Sequence, residues 1–320
     1  MAGFVVRRVL WGLILLLLVS ALTFVIFYVL PSADPAQLRA GRNASPQTIE
    51  LIRRNLGLDR PLTAQYWRFL TRLVGHGDLG YSYFSSAPVG SLLLDRLPAT
   101  ISLTLGALVV WMAVSIPLGV LAAVRPRGWL DRLAQGGALL GISVPVYWLG
   151  LVALWLFASD IGKIPILPGA NSYVPLGQDP WKWFSSLILP WLVLATGFVG
   201  IYARLLRGQM LETLSEDYVR TARSKGLSER RVVMGHALPA AITPLVTLAG
   251  LDVGVLLGGA VLTETVFDIP GIGRLNYDAI THADFPVIQG TVLVAAAFVI
   301  VASIVVDMLY AYLDPRVREA

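Results

Sequence analysis

Long apolar stretches alternate with polar ones along most of the chain. A bilayer core needs about 20 consecutive apolar residues in a helix, and six stretches reach that length. They are residues 9–30, 99–124, 133–158, 183–203, 240–263 and 287–313. Prolines inside or near these runs are compatible with membrane helices, since neighbouring helices satisfy the freed carbonyls. The pattern therefore predicts an all-α integral membrane protein with six transmembrane helices.

The segment 31–98 is the long polar interruption in this pattern. Within it, "SPQTIELIRRNLGL" has a Ser–Pro helix start at Ser45, apolar positions at helical spacing and Gly57 placed to end the helix. A second amphipathic stretch follows at 61–74. These helices either lie on the membrane interface or form a cap packed on the bundle. We expect residues 1–98 to hold one transmembrane helix plus this folded extracytoplasmic loop, and residues 99–320 to form a five-helix core.

Composition agrees with a membrane protein and excludes several kinds of chemistry. Of the 320 residues, 56% are hydrophobic and 14% are charged, whereas soluble proteins carry about 25% charged residues. The chain has no cysteine, so disulfides and thiolate catalysis are excluded. The three histidines, His76, His236 and His282, are too far apart in sequence to suggest a metal site. We find no arrangement of nucleophile and base, no paired carboxylates and no dinucleotide motif, and we predict no catalytic residue and no metal.

The basic residues define an orientation. If the N-terminus is cytoplasmic, 14 of the 25 Lys and Arg lie in cytoplasmic segments of the six-span arrangement, including Arg316 and Arg318 near the C-terminus. The long 31–98 loop is left out of the comparison, because long loops translocate largely regardless of charge. Only Lys163, Lys182 and Arg274 then remain outside. The net charge of +5 thus reflects topology, and no nucleic-acid partner is predicted.

One cytoplasmic loop, residues 209–239, is both basic and helical in pattern. Ser215 is placed to cap a first helix, and Gly226 is placed to end it in a left-handed conformation. Ser228 is placed to cap a second helix that leads into the fifth span. The loop therefore predicts a helix–turn–helix unit between two membrane spans.

Three interpretations of this loop compete. A DNA-binding motif is disfavoured because both ends are tethered to the membrane. A solvated loop that only enforces topology is the plain alternative. Tyr218, Val219 and Ala222 share one helical face with basic residues around it, which is the pattern of a helix that docks in a groove of a cytoplasmic partner.

The loop also resembles a known motif. "YVRTARSKGL" followed by "HALP" is similar to the EAA loop of permease subunits from binding-protein-dependent ABC importers. Arg220 stands where the general motif has Glu, a departure typical of the dipeptide/oligopeptide branch. "GDLGYSYFSSAPVGSLLLDRLPATISL", "GGAVLTETVFDIPGIGRLNYDAI" and "DMLYAYLDPRVR" resemble the same branch in the same order. The whole chain thus resembles a B-type subunit of that family.

The resemblance implies a fold, a function and partners. The fold would be the transmembrane domain of a type I ABC importer in the bacterial plasma (inner) membrane, with both termini cytoplasmic. The chain would form half of a translocation path for peptides. Its partners would be a second homologous permease subunit, two ATP-binding subunits and an extracytoplasmic substrate-binding protein. ATP and Mg would be bound by the ATPase subunits, with no cofactor in this chain.

The resemblance also assigns roles to residues of the loop. The expected ATPase-coupling residues are Tyr218, Val219, Arg220, Ala222, Arg223, Lys225, Gly226, Leu227 and Arg230. In this assignment the apolar residues pack against the ATPase and the basic ones make polar contacts with it.

The sequence itself contains no P-loop. That motif needs Gly-x4-Gly-Lys-Ser/Thr, because backbone amides and a lysine hold the phosphates. The chain has three lysines, Lys163, Lys182 and Lys225, and none lies in such a context. If transport is driven by ATP, the motor is therefore a separate chain.

Acidic residues in or near apolar runs raise an alternative. Ionisable groups within a membrane are costly and suggest function by default. A proton or cation relay through Asp252 or Asp307 would make the protein a secondary transporter or channel. The plain interpretation places Glu264 and Asp307 near interfaces and Asp252 against a polar cavity or a neighbouring helix.

The irregular stretch "DIPGIGR" between the last two spans has two interpretations as well. It is either part of an outer gate or docking surface, or a plain surface loop. The residues expected to line the translocation path or gate are Asp252, Glu264, Pro270, Gly271 and Gly273. The cargo also stays open, since related permeases carry nickel chelates or other small solutes.

Overall fold

The computed structural model describes residues 2–29, 34–40 and 44–313. Its helices, in chain order, are α1 (Ala2–Phe24), α2 (Pro35–Ala40), α3 (Pro46–Leu56), α4 (Leu62–His76), α5 (Val89–Val124), α6 (Trp129–Ser143), α7 (Val146–Phe157), α8 (Pro180–Leu214), α9 (Asp217–Ser224), α10 (Glu229–Val232), α11 (Leu238–Ala241), α12 (Thr243–Leu257), α13 (Val261–Val266), α14 (Ile272–Thr281) and α15 (Phe285–Leu313). Two π-helical turns, Val25–Val29 and Val233–Ala237, adjoin α1 and α10. Within the described residues the β-structure is limited to two isolated bridges. The prediction of an all-α protein is confirmed.

Four of these helices are long and apolar enough to cross a membrane. They cover Val5–Phe27, Val89–Val124, Pro180–Leu214 and Phe285–Leu309. A fifth crossing is made if Glu229–Ala241 and Thr243–Leu257 count as one span, bent by 47°. Pro244 lies in the first turn of the second half, next to the bend. The first, second, fourth and sixth predicted spans are therefore present, and the fifth is bent.

The third predicted span, residues 133–158, differs from expectation. Two helices cover it, α6 and α7, with a break at Val144 and Pro145. Proline has no backbone N–H and its ring disfavours a helical conformation in the residue before it, so the helix ends and restarts here. α7 has 12 residues, too few to cross a bilayer alone. The count of six uninterrupted spans is therefore not reproduced.

The expected boundary between the outer loop and the core falls within a helix. α5 begins at Val89, and Pro98 lies inside it. The helix therefore continues outward beyond the predicted start of the second span at residue 99. Residues on the two sides of the expected division belong to one continuous rod.

The centre of the bundle is the contact between α5 and α8. Trp111 of α5 stacks on Phe198 of α8 with ring centroids 4.4 Å apart. Trp191 of α8 donates from its indole Nε1 to the carbonyl of Ser102 at 3.0 Å. A Cβ atom at Gly106 would lie 2.0 Å from the Trp191 ring. The absence of a side chain at this glycine therefore lets the two helices meet.

The periphery is formed by α1, which packs against α15. Gly12 lies opposite Ile300, where a Cβ atom would come within 2.7 Å of the isoleucine side chain. Most other large apolar side chains of α1 are exposed, including Leu10, Leu18 and Leu22. Exposed apolar side chains on a spanning helix fit contact with lipid or with another membrane subunit.

Both amphipathic helices predicted in the 31–98 segment are present. The Ser45 hydroxyl accepts from the Thr48 amide at 3.2 Å at the start of α3, and Gly57 ends that helix with φ 70°. Tyr66 of α4 shares a 2.9 Å hydrogen bond with Ser20 of α1 and packs against Phe24. The second helix thus forms part of a cap packed on the bundle.

The contact between α5 and α8 yields a test of packing. Gly106→Ala is expected to lower the thermal unfolding temperature of the purified protein, because overpacking a core costs about 1–3 kcal/mol. Gly208→Ala is the matched control, since this glycine lies exposed on α8 with nothing within 4 Å of its Cβ position. Equal unfolding temperatures for the two variants would contradict the tight approach of the helices.

Candidate functional site

The basic loop extends directly from the end of α8. Its first helix, α9, starts after Glu216, and the Ser215 hydroxyl donates to the Glu212 carbonyl at 2.7 Å instead of capping α9. The predicted cap at Ser215 is therefore wrong, because that residue is the C-cap that ends α8 and Glu216 precedes α9 instead. Gly226 has φ 76°, and its amide donates to the Arg223 carbonyl at 2.9 Å. The left-handed turn predicted at this glycine is confirmed.

Apolar residues of the loop form a small cluster of their own. Val219, Ala222 and Val232 are buried, and Leu214 and Leu227 pack against them. Val219 has no exposed surface at all. Two of the three residues of the predicted apolar face, Val219 and Ala222, therefore pack within the chain itself, whereas Tyr218 does not belong to this cluster.

One ion pair joins the two halves of the loop. The Arg223 guanidinium donates to the Glu229 carboxylate through Nη2 at 2.6 Å and Nε at 3.1 Å. A third bond, from Nη1 at 3.4 Å, reaches the Leu214 carbonyl at the end of α8. Hydrogen bonding to Arg223 lowers the pKa of Glu229, and hydrogen bonding to Glu229 raises the pKa of Arg223. This pair weakens only when pH falls through the lowered pKa of Glu229.

The outward surface of the loop is polar and basic. Tyr218 is 47% exposed, and Arg220 projects with its side chain 69% exposed. Lys225 and Arg230 are exposed as well. These four of the expected coupling residues are exposed on the loop surface, where Arg220 also contacts Asp217 at 3.4 Å, whereas Val219, Ala222 and Arg223 hold the loop together.

On the opposite side of the bundle, α13 and α14 form a compact outer segment. A Cβ atom at Gly259 would lie 2.4 Å from the Gly273 Cα. The backbone just before α13 therefore passes very close to the first turn of α14. Gly259 has φ 125°, a conformation that side chains rarely allow. Phe267 and Ile269, on the two sides of Asp268, are buried. The surface-loop interpretation of this stretch is therefore wrong.

Glu264 organises the outer segment. Its carboxylate is fully buried, and Oε1 accepts from the Thr100 hydroxyl of α5 at 2.8 Å. Oε2 accepts from the Arg274 amide at 2.8 Å. The Thr100 Oγ1 in turn accepts from the Ile272 amide at 2.8 Å. Glu264 and Thr100 together satisfy amides in the first turn of α14, which would otherwise lack partners.

Gly271 makes room for this carboxylate. A Cβ atom at this position would lie 2.2 Å from the carboxyl carbon of Glu264. Asp268 and Arg274 form an ion pair across the same turn. Four expected gate residues, Glu264, Pro270, Gly271 and Gly273, therefore lie together, with the acid as an internal helix cap.

The remaining intramembrane acids are paired within the chain. Asp252 of α12 accepts from the Tyr202 hydroxyl of α8 at 2.5 Å, apart from the Glu264 cluster. Asp307 of α15 forms a 3.1 Å ion pair with Arg8 of α1. Each acid therefore joins two helices, and for Asp252 this is the contact with a neighbouring helix that the plain interpretation allowed. Thr100 and Tyr202, the partners of Glu264 and Asp252, are polar positions in apolar runs that the sequence interpretation did not single out.

Comparison with known proteins identifies the family. The profile described as "Binding-protein-dependent transport system inner membrane component" matches residues 115–319, and the profile of the corresponding N-terminal component matches residues 1–104. The chain belongs to this family. It is a permease subunit of an ABC importer, a multi-pass protein of the bacterial inner membrane with the type I importer membrane fold.

Relatives cover the chain from end to end. A putative peptide transport system permease protein of Brucella abortus is 42% identical over 318 residues, 99% of each chain. The glutathione transport system permease protein GsiC of Salmonella paratyphi A is 40% identical, again over 99% of each chain. The probable D,D-dipeptide transport system permease protein DdpB of Escherichia coli is 41% identical over 98% of this chain and 97% of its own.

The Glu264 cluster yields a second test. Gly271→Ala is expected to displace the carboxylate and leave amides of α14 without acceptors, which costs about 1–3 kcal/mol for each unsatisfied group. Amides of residues 268–280 should then exchange hydrogen faster, as measured by mass spectrometry of the purified permease. Gly177→Ala is the control, because its Cβ position is open. Unchanged exchange in the Gly271 variant would mean that Glu264 does not cap α14.

Proposed function

We propose that this permease forms half of the translocation path of an ATP-driven importer of peptides. It would pair with a second homologous permease subunit, two ATP-binding subunits and an extracytoplasmic substrate-binding protein. Relatives named for peptide, glutathione and D,D-dipeptide transport support a peptide cargo over nickel chelates or other small solutes. ATP and Mg would bind in the partner subunits.

The observation that carries the proposal is the architecture of the basic loop. It is a compact unit, held by the Val219 cluster and the Arg223–Glu229 pair, and it follows directly on α8. A unit of this kind can move as one body and pass that movement to a spanning helix. Tyr218 and Arg220 on its exposed surface suit a groove on an ATPase subunit, because the planar guanidinium binds carboxylates well.

The outer segment is proposed as part of the outer gate. Its backbone is irregular yet packed against α5 through Thr100, so its position depends on where α5 lies. Irregular backbone at membrane depth is tolerated where protein or a water-filled cavity surrounds it. Glu264 would act there as an anchor for α14 and not as a group that contacts cargo.

The rival function, a secondary transporter using Asp252 or Asp307, receives less support. A relay needs acids that are accessible to water and able to exchange protons or cations. Asp252 is hydrogen-bonded to Tyr202, and Asp307 is ion-paired with Arg8. Both contacts join helices and give these acids a structural role.

The docking surface is tested by reversing its charge. Arg220→Glu combined with Lys225→Glu is expected to abolish co-purification with the ATPase subunits and peptide-stimulated ATP hydrolysis. The buried cluster is untouched, so the loop should stay folded. Arg60→Glu with Arg72→Glu is the control, because it makes the same change of net charge at exposed sites of the outer loop.

Three results bear on the proposal. Loss of assembly in the loop variant alone supports it. Normal assembly and normal stimulated hydrolysis in that variant would remove the loop as the docking element. If the unaltered chain binds no ATPase and proteoliposomes take up peptide without ATP, the importer mechanism itself fails.

A further inference from the structure

An ion pair with a buried carboxylate lies between α6 and α8, on the predicted cytoplasmic side. Asp131, in the first turn of α6, is 2% exposed. The Arg207 guanidinium of α8 donates from Nη2 to Oδ2 at 3.0 Å, and its Nε lies 2.5 Å from Oδ1 as an ion-pair contact without hydrogen-bond geometry. A hydrogen bond between two ionised groups is stronger than one between neutral groups, so this contact links the two helices.

Two further donors complete the site around Asp131. The Gln135 side-chain amide donates to Oδ1 at 2.9 Å, and the Arg127 backbone amide donates to Oδ2 at 2.8 Å. The Arg127 amide is aimed by a tight turn in which this residue has φ 65°. Hydrogen bonds from Gln135, Arg207 and the Arg127 amide, in that order, lower the pKa of Asp131 to about 2. The acid therefore stays ionised at physiological pH.

The position of Arg207 connects this pair to the basic loop. α8 runs without interruption from Arg207 to Leu214, a length of about 10 Å at 1.5 Å per residue. The Leu214 side chain packs on the Val219 cluster, and its carbonyl accepts from Arg223. These contacts give a continuous connection through α8 from the loop to the guanidinium of Arg207.

On the other side of the pair, α6 leads towards the outer segment. It ends at the Pro145 break, after which α7 packs against α13. A Cβ atom at Gly150 of α7 would lie 2.9 Å from the Val266 side chain of α13, the helix that carries Glu264. The chain of contacts therefore joins the loop at one face of the bundle to the outer segment at the other.

We propose that Asp131 and Arg207 are positioning residues that transmit movement of the basic loop to α6 and so keep ATP hydrolysis coupled to transport. The inference rests on the proposed function and adds a specific mechanical connection to it. A purely structural role is the competing explanation, since buried ion pairs by themselves are weak contributors to stability. The test must therefore separate coupling from folding.

The experiment uses the complete importer in proteoliposomes with its ATPase subunits and a peptide-loaded binding protein. Asp131→Asn and Arg207→Gln each remove one charge, and the exchange Asp131→Arg with Arg207→Asp restores opposite charges. Arg204→Gln is the matched control, since Arg204 is exposed on the same helix and has no ion-pair partner among the described residues. Peptide uptake, ATP hydrolysis, co-purification and thermal unfolding are measured for each.

The single variants are expected to assemble and to hydrolyse ATP. Peptide uptake per ATP should fall at least about fivefold, which is the lower end of the factors by which coupled sites typically affect each other. The charge exchange should recover part of the loss, and Arg204→Gln should match the unaltered protein. Uptake per ATP equal to that of the unaltered protein in both single variants would overturn the inference.

Two other results have distinct meanings. If uptake and ATP hydrolysis fall together with assembly or unfolding temperature, and charge exchange recovers nothing, the pair is structural and the inference fails. If the unaltered chain shows no dependence on ATP, the proposed function fails instead, whatever the variants do. Arg207→Lys adds a graded check, because it retains the charge but loses the planar guanidinium that donates to Asp131.

Discussion

The outer half of this permease depends on one buried carboxylate. Between the end of α12 at Leu257 and the start of α14 at Ile272 the chain leaves regular helix twice. Backbone amides freed in this way cost several kcal/mol each in hydrocarbon unless another group accepts from them. Glu264, with Thr100, supplies acceptors where the first turn of α14 needs them. Irregular backbone can persist here because a side chain replaces water.

That arrangement explains why small residues surround the acid. The carboxylate occupies the space that a side chain at residue 271 would need, and the backbones at Gly259 and Gly273 nearly touch. Gly271 therefore lets the backbone approach the carboxylate, and Gly259 and Gly273 let two backbone segments approach each other. Because Thr100 belongs to α5, the same interactions hold the outer segment to the central helix pair. If α5 moves, α14 must therefore move with it, or the hydrogen bonds through Thr100 must break.

Features with a local cause could be predicted from sequence. Apolar runs marked most spans, and the left-handed turn at Gly226 followed from its place at a helix end. Pairings across the fold could not be predicted. Glu264 meets Thr100 across 164 residues, and Asp131 meets Arg207 across 76. The sequence around Glu264 or Asp131 does not indicate which distant residue it will contact. The packing of the apolar face of α9 could not be predicted for a related reason, since Val219 has the same spacing whether it packs on its own chain or on another.

The inward orientation of Val219 changes what the basic loop can do. A helix that kept its apolar face for a partner would be held to the rest of the chain only by its ends, and movement of the partner could be lost in bending. Here the cluster and the Arg223–Glu229 pair hold both halves against Leu214, the last residue of α8. The loop can then rotate or translate without internal rearrangement. In the proposed function, its exposed polar surface would set which partner binds, while its buried interior would set how faithfully movement reaches α8.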